Sequence, residues 1–210
     1  MRNFPHLALV FFAILGAARG QTYEVSTFGG LMRMSKAPLG SLSSDNPRDT
    51  DTNFRNGFTY GLRFTYNMRG YYGHEFGYAY TRATVRTRVY DSAGAATPAE
   101  GRAVIHQASY NFLIYFMPKD EWWRPYITGG GEAHRYGNPR IAGWTGTPGM
   151  NYGVNYGGGI KLKIMKHVLL RLDVRDQITG KPYKLSFGPQ TNPFTVFRQM
   201  EASAGVSIGW

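Results

Sequence analysis

The chain has 210 residues, which fits one domain of ordinary size, and no stretch has the composition of a linker between two cores. Its 24 Lys and Arg outnumber 13 Asp and Glu, and the formal net charge of +11 favours anionic partners such as lipid phosphates, acidic glycans or nucleic acid. The absence of cysteine excludes disulfide and thiolate chemistry. The 27 glycines, 15 tyrosines and 13 phenylalanines, with few long helical patterns, favour an all-β protein.

The first twenty residues have the pattern of a secretory signal. Arg2 provides a positive start, Leu7 to Ala18 is an apolar run, and Ala18 and Gly20 are small residues where a signal peptidase cuts. The run is too short to span a bilayer comfortably as a helix. We therefore expect residues 1–20 to be a signal peptide and residues 21–210 the mature domain. The alternative is a buried N-terminal helix, and export argues against a nucleic-acid partner.

From residue 22 onward, apolar residues recur at every second position, which is the period of a strand with two different faces. Phe58, Tyr60 and Leu62, for example, alternate with Thr59, Gly61 and Arg63. The pattern predicts eight strands, at residues 22–34, 53–67, 71–87, 103–117, 123–136, 151–165, 168–179 and 198–210. Most of them exceed the roughly 9–11 residues that a tilted strand needs to cross a bilayer.

The connections between these strands alternate between long and short. The long ones cover residues 35–52, 88–102, 137–150 and 180–197, and the short ones cover residues 68–70, 118–122 and 166–167. In an up-and-down sheet, alternate connections lie at opposite ends, and transmembrane barrels have short periplasmic turns and long external loops. The sequence therefore predicts an all-β fold, a closed antiparallel eight-stranded up-and-down transmembrane β-barrel. A soluble β-sandwich is the alternative fold.

The two faces of the strands differ in chemistry. One face is rich in Tyr and Phe, as expected for lipid contact, and Trp122, Trp123 and Trp210 are candidates for the membrane interfaces. The other face is small, polar and charged, as expected for a narrow lumen that side chains just fill. Because unpaired buried charges are costly, we predict an ion-pair network in the lumen. Its expected members are Arg63, Glu75, Glu132, Lys161, Arg171, Asp173, Arg175 and Glu201. The alternative is a charged constriction that selects or gates ions.

Several features in chain order resemble one family. They are the signal pattern, the eight alternating strands, the segments RPYITGGG (124–131), YGGGI (156–160) and LRLDVRD (170–176), and a last strand ending in Trp210. Together they resemble the small eight-stranded outer-membrane barrels, the OmpA-type transmembrane domain and its opacity-protein relatives. The resemblance implies a bacterial outer-membrane protein, a monomer that contacts outer-membrane lipid and lipopolysaccharide. It also implies that the barrel-assembly machinery reads the C-terminal strand, where Phe is more usual than Trp. No cell-wall-anchoring domain follows the barrel, so wall anchoring is not expected.

No residue pattern predicts an active site or a cofactor. The glycine runs 129–131 and 157–159 lack a following Lys-Ser/Thr, and glycine there is better explained by curvature and by room inside a tight barrel. His106 and Ser109 are three apart in one strand, so they face opposite sides and cannot act as a hydrolytic pair. His134 shares a face with Glu132, but no Ser of that strand joins them. We expect no enzyme activity, no metal and no cofactor; a lipid-modifying barrel enzyme is the weaker alternative.

The long loops carry what specificity the sequence offers. They include residues 43–51 and 135–146, and Lys181, Lys184, Phe187 and Phe194. They are either solvated, variable loops or a surface that contacts lipopolysaccharide phosphates or host and matrix ligands. The leading hypothesis is a non-enzymatic outer-membrane protein with a role in envelope integrity or adhesin-like surface recognition. The alternative is a small pore for ions or hydrophobic solutes.

Overall fold

The computed structural model describes residues 22–37, 39–42, 52–68, 70–119, 121–185 and 196–210. The expected signal peptide, residues 43–51, Phe187 and Phe194 lie outside the described residues. The described part contains eight long strands, numbered here β1 Tyr23–Met34, β2 Gly57–Met68, β3 Tyr72–Tyr90, β4 Ala96–Tyr115, β5 Trp123–Tyr136, β6 Met150–Met165, β7 Val168–Thr179 and β8 Phe197–Gly209. Three two-residue strands, Asn53–Phe54, Thr147–Pro148 and Tyr183–Lys184, accompany them. In the described ranges we find no helix with the length and apolarity needed to cross a membrane.

The eight strands form a closed barrel. Each pairs antiparallel with the next along the chain, and β1 pairs with β8 from Glu24 opposite Gly209 to Met34 opposite Gln199. Next to this seam, the Thr22 amide donates to the Trp210 carbonyl at 2.8 Å and the Trp210 amide donates to the Tyr23 carbonyl at 3.0 Å. Within the closed wall each strand pairs with a neighbour on both sides, which a wall in contact with hydrocarbon requires. The predicted fold is confirmed.

Two predicted boundaries are wrong. The segment 88–102, expected to be a loop, continues β3 to Tyr90 and begins β4 at Ala96, so the turn covers only residues 91–95. The Asp91 carboxylate accepts from the Ala93 and Ala95 amides and holds this turn. The second difference is a break at residues 55–56: the pair Asn53–Phe54 bonds to β3 separately from β2. Phe54 therefore faces inward, 2% exposed, whereas strict alternation places it on the outer face with Phe58.

The outer wall of the barrel is apolar and the interior is polar, the reverse of a soluble protein. Phe64, Phe112 and Leu172 point outward with 40%, 39% and 41% of their surface exposed. Tyrosine and phenylalanine rings of neighbouring strands contact each other along this wall, as Tyr72 and Phe112 do with ring centroids 5.8 Å apart. The predicted assignment of the two faces is thus confirmed. No second sheet of the described residues covers the aromatic face, as a sandwich would require.

The interior has two layers along the barrel axis. We call the end that carries Thr22, Trp210 and the connection 166–167 the short-turn end, and the opposite end the long-loop end. Near the long-loop end, inward side chains and loop residues form an apolar cluster, which we call the cap. Its buried members are Met32, Met34, Leu39, Phe54, Ala83, Val85, Ala103, Ile105, Tyr136, Ile141, Tyr183 and Phe197. Below the cap, charged and polar groups fill the middle of the lumen, and a smaller cluster of Leu113, Tyr115 and Tyr126 lies nearer the short-turn end.

Candidate functional site

The centre of the lumen is a compact cluster of charges. Strand β7 presents Arg171, Asp173 and Arg175 on its inward face, each two residues from the next. Glu75 of β3 accepts hydrogen bonds from both arginines, at 2.6 Å from Arg175, and from the Thr65 hydroxyl at 3.1 Å. Asp173 accepts from Arg171 at 2.7 Å and lies 3.3 Å from Arg175. Each arginine therefore contacts two carboxylates.

Arg63 of β2 extends this cluster across the barrel. Its guanidinium donates to Asp173 at 2.8 Å and to Glu201 at 2.6 Å, and it lies 4.0 Å from Glu75. The same group lies over the Phe28 ring, 3.7 Å from the ring centroid. The structure thus joins six of the eight predicted lumen residues into one network, three arginines with three carboxylates. Such a network is electrically balanced, which limits the cost of burying its charges.

The other two predicted lumen residues lie apart from this network. Lys161 of β6 donates to Glu24 of β1 and to the Tyr115 hydroxyl at 2.8 Å. Glu132 of β5 lies 3.1 Å from the His134 ring of its own strand. Glu24 was not predicted as a lumen residue, because apolar and polar residues alternate only weakly in β1. Its position two residues before the inward-facing Ser26 could have placed it on the inner face.

Aromatic and arginine side chains fill the lumen towards the short-turn end. The Tyr126 hydroxyl donates to Asp173 and accepts from Arg171 at 2.8 Å. Its ring contacts that of Tyr115 with centroids 5.6 Å apart, and the Arg124 guanidinium lies 3.8 Å from the Tyr115 centroid. Arg124 also donates to the Gly70 carbonyl of the turn at 2.8 Å. These side chains close the lumen between the central network and the turns.

Little space remains in the middle of the barrel. A cavity of about 20 Å³ lies beside the network and is lined by Arg63, Arg175, Gln177, Glu201 and other inward residues. A volume of that size holds about one water molecule. On the side of the long loops, Gln107 donates to Gln177 at 2.7 Å. Side chains therefore occupy the lumen at the level of the network.

Inward-facing glycines provide the room for the large charged side chains. Gly157 lies opposite Arg175 and Gly159 lies opposite Asp173 in the β6–β7 ladder. A methyl group on Gly159 would lie 2.3 Å from the Leu172 carbonyl oxygen and 2.6 Å from the Tyr126 hydroxyl. The glycine run 157–159 is thus part of a strand wall, and its inward members make space for the network.

The cap closes the lumen towards the long loops. Tyr183 is its centre: its ring stacks on Phe54 at 5.9 Å and meets Trp144 edge-on at 5.1 Å. Its hydroxyl donates to the Gly137 carbonyl at 2.7 Å, and burial raises the pKa of Tyr183, which keeps the hydroxyl protonated. Phe197 packs on Phe54 with centroids 5.4 Å apart. The cap ties the loops 137–149 and 180–185 to the barrel. The sequence alone did not predict it, because the cap residues come from segments that lie far apart in the chain.

The three predicted interface tryptophans lie at the short-turn end. Trp122 is 65% exposed and its ring centroid lies 6.0 Å from that of the half-buried Trp123. The Trp210 and Tyr23 ring centroids lie 6.4 Å apart, next to the pairing of β1 with β8. Indole rings are stable at a membrane–water boundary, and the side chains are placed where one boundary is expected.

The structure keeps the candidate catalytic residues apart. His106 faces outward, where its Nδ1 lies 2.7 Å from the Tyr78 hydroxyl, while Ser109 faces inward and accepts from Asn111 at 3.3 Å. Among the described residues, no group of three or more His, Asp or Glu side chains is arranged to hold a metal ion.

Comparison with known proteins shows that this chain is similar in fold to several solved structures. No protein-family model and no curated protein matches the chain. The structure is similar to the outer membrane protein OprG from Pseudomonas aeruginosa, with 14% identity and a TM-score of 0.62 over 91% of this chain and 97% of that one. It is also similar to Neisserial surface protein A, with 16% identity and a TM-score of 0.54 over 92% and 100% of the two chains. A third similar structure is the outer membrane protein AlkL in lipid bilayers, with 13% identity and a TM-score of 0.53 over 93% of each chain. The expected resemblance to small eight-stranded outer-membrane barrels is confirmed at the level of fold.

Proposed function

We propose that this protein is a non-enzymatic outer-membrane barrel with a closed lumen, which serves envelope integrity or surface recognition through its long loops. The observation that carries the proposal is the balanced network of Arg63, Glu75, Arg171, Asp173, Arg175 and Glu201, which fills the centre of the barrel. The apolar outer wall and the outer-membrane proteins of similar fold support location in the bacterial outer membrane. The short-turn end then faces the periplasm.

The cap supports a role for the loops. Ile141 and Tyr183 lie in long loops and are buried in the cap, so parts of these loops are held in one arrangement on the barrel. A surface that is ordered before binding loses less conformational entropy when a ligand binds. Outer-membrane lipid, lipopolysaccharide and host or matrix ligands are the proposed partners. In the closed wall each strand is paired on both sides, which supports a monomer. The proposed signal for the barrel-assembly machinery is β8 with Trp210.

A pore for hydrophobic solutes is the second candidate function. The interior near the long-loop end is apolar, with Met32, Val85 and Ile105 among its fully buried side chains. A hydrophobic solute could contact these residues if the cap opened. An ion pore has weaker support, because ions would have to pass the buried network and the cap.

Conductance in planar lipid bilayers tests the closed lumen. We expect no reproducible current steps from the purified protein, because water and ions have no open path through the network. Reproducible steps whose size changes in the Arg175→Ala variant would refute the proposal, since they would place Arg175 in a conducting lumen.

Cell fractionation and gel migration of unheated samples test the location of the protein. The protein should require detergent for extraction and should migrate faster before heating. Mass spectrometry of lipid A, with and without expression of the protein, tests the absence of lipid-modifying activity.

A further inference from the structure

The outer wall carries a basic cleft at the long-loop end. It lies where β3 and β4 meet the loop after β5, and it has a volume of about 500 Å³. We call it the arginine cleft and define it by Tyr80, Arg82, Arg102, Val104, Asn138 and Arg140, which line it. Three arginine side chains from three segments thus face one space on the outside of the barrel.

The arginines of this cleft differ from other arginines at the same end in their contacts with carboxylates. Within the described residues, no Asp or Glu oxygen lies within 4.0 Å of the guanidinium groups of Arg82, Arg102 and Arg140. Other arginines of the same end are paired: Arg86 contacts Glu100 at 2.6 Å, and Arg198 donates to Asp176. Three guanidinium groups around one cleft attract an anion, and phosphate suits them because arginine can form two parallel hydrogen bonds to it.

The cleft lies where the wall changes from aromatic to basic. Along the outward face of β3, Tyr78 and Tyr80 are followed directly by Arg82. The Tyr80 ring lies 5.1 Å from that of Tyr60, and the Arg82 guanidinium lies 5.4 Å from the Tyr80 centroid. Phe58, paired with Arg82 on the neighbouring strand, is 70% exposed. A ligand that fits both regions has a phosphate group and an apolar part, which is the chemistry of a membrane lipid.

Backbone contacts hold the loop side of the cleft in place. The Gly137 amide donates to the Val104 carbonyl at 2.7 Å, and the Arg140 amide donates to the Asn138 side chain at 2.8 Å. Arg140 adopts a left-handed backbone conformation with φ of 59°. Gly101 permits the close approach of the loop, because a methyl group there would lie 2.2 Å from the Pro139 carbonyl oxygen. The backbone that carries Arg140 is therefore held against β4, beside Arg102.

We propose that the arginine cleft binds the phosphate groups of a phosphorylated glycolipid of the outer leaflet, with the acyl chains lying along the aromatic wall below Tyr80. The inference rests on the proposed function, which places the long-loop end at the outer leaflet. The inference adds a lipid-binding site to that function: Arg82, Arg102 and Arg140 contact the phosphates, and Tyr80 and Val104 contact the apolar part of the lipid.

Native mass spectrometry of the purified protein in detergent micelles tests the site. The probes are bis-phosphorylated lipid A, mono-phosphorylated lipid A and inorganic phosphate. The test variant combines Arg82→Gln, Arg102→Gln and Arg140→Gln. The control variant combines Arg55→Gln, Arg86→Gln and Arg198→Gln, which removes the same charge from arginines that already contact Glu100 or Asp176.

We expect the protein to bind bis-phosphorylated lipid A more tightly than the mono-phosphorylated form. The test variant should lose about tenfold or more in affinity, since each lost charge-assisted hydrogen bond weakens binding. The control variant should lose less than about threefold. Equal loss in both variants would overturn the proposal, because binding would then follow net charge. Tight binding of inorganic phosphate alone would overturn the glycolipid assignment, and so would the absence of lipid A binding.

Gel migration of unheated samples separates the two hypotheses. A protein that is extracted by detergent and migrates faster unheated, but binds no lipid A, refutes the cleft and leaves the proposed barrel function intact. A protein found in the water-soluble fraction refutes both. The single variant Arg102→Gln, which alters one exposed side chain, guards against misfolding of the triple variant and should show a smaller loss in the same direction.

Discussion

Replacement of Glu75 by glutamine tests whether side chains fill the lumen and exclude bulk water. Glu75 is fully buried and accepts hydrogen bonds from Arg171, Arg175 and Thr65. Glutamine keeps the volume and removes the charge, so three arginines would share the carboxylates of Asp173 and Glu201. Breaking a buried ion pair in this way lowers the free energy of unfolding by about 3–5 kcal/mol.

Glu100→Gln is the matched control. Glu100 also contacts two arginines, Arg86 at 2.6 Å and Arg55 at 3.6 Å, but its side chain is 43% exposed at the rim. Solvent screens such pairs, and we expect a loss of about 0–1 kcal/mol. The two variants therefore make the same chemical change in a buried and in an exposed ion-pair cluster.

Urea titration of the folded protein in lipid vesicles, followed by tryptophan fluorescence, gives the free energy of unfolding from the midpoint and slope. A second variant that combines Glu75→Gln with Arg175→Gln restores the charge balance and should recover part of the loss. A loss for Glu75→Gln within about 1 kcal/mol of that for Glu100→Gln would refute the reasoning, because water would then have to compensate the charge. That result would favour a hydrated, conducting lumen.

Three further substitutions test the interior, the cap and the wall. Gly159→Ala should lower the free energy of unfolding by about 1–3 kcal/mol, because the new methyl group would overlap the Leu172 carbonyl and the Tyr126 hydroxyl. The control is Gly131→Ala, which should be nearly neutral because no atom lies within 4 Å of the added methyl group. Equal urea midpoints for the two variants would contradict the tight packing at Gly159. Phe54→Ala removes a ring that is 2% exposed in the cap, so we expect a loss of about 3–5 kcal/mol and faster proteolysis of the long loops; unchanged cleavage would mean that the cap does not hold them. Leu172→Arg places a charge on the outer wall and should destabilise the folded protein in vesicles by about 2–4 kcal/mol, measured by the same titration; an unchanged stability there would argue against contact between Leu172 and acyl chains.

The order of the strands and the assignment of their faces could be predicted from sequence because both depend on neighbouring residues. In a strand, successive side chains point to opposite sides, so Phe64 and Arg63 are placed outside and inside without knowledge of any other strand. The same local rule put the charges of β7 in the lumen. It could not tell the ends of β3 and β4 from a loop, because polar residues such as Arg88 and Thr97 are compatible with both.

The pairing of the lumen charges was decided only by the closed tertiary structure. Glu75 meets Arg171 at a separation of 96 residues, and Glu24 meets Lys161 at a separation of 137 residues. Which charges face each other depends on the stagger between all eight strands when the sheet closes, and no single strand contains that information.

The cap and the arginine cleft depend on the tertiary structure for the same reason. A break of two residues turns Phe54 inward, and Tyr183 reaches it from a loop more than a hundred residues later. The cleft forms because the loop with Arg140 lies against β4, beside Arg102 and Arg82. The alternation of side chains along a strand determines which side of the barrel wall a residue occupies. Contacts between distant segments arise only when the closed barrel brings those segments to the same level along its axis.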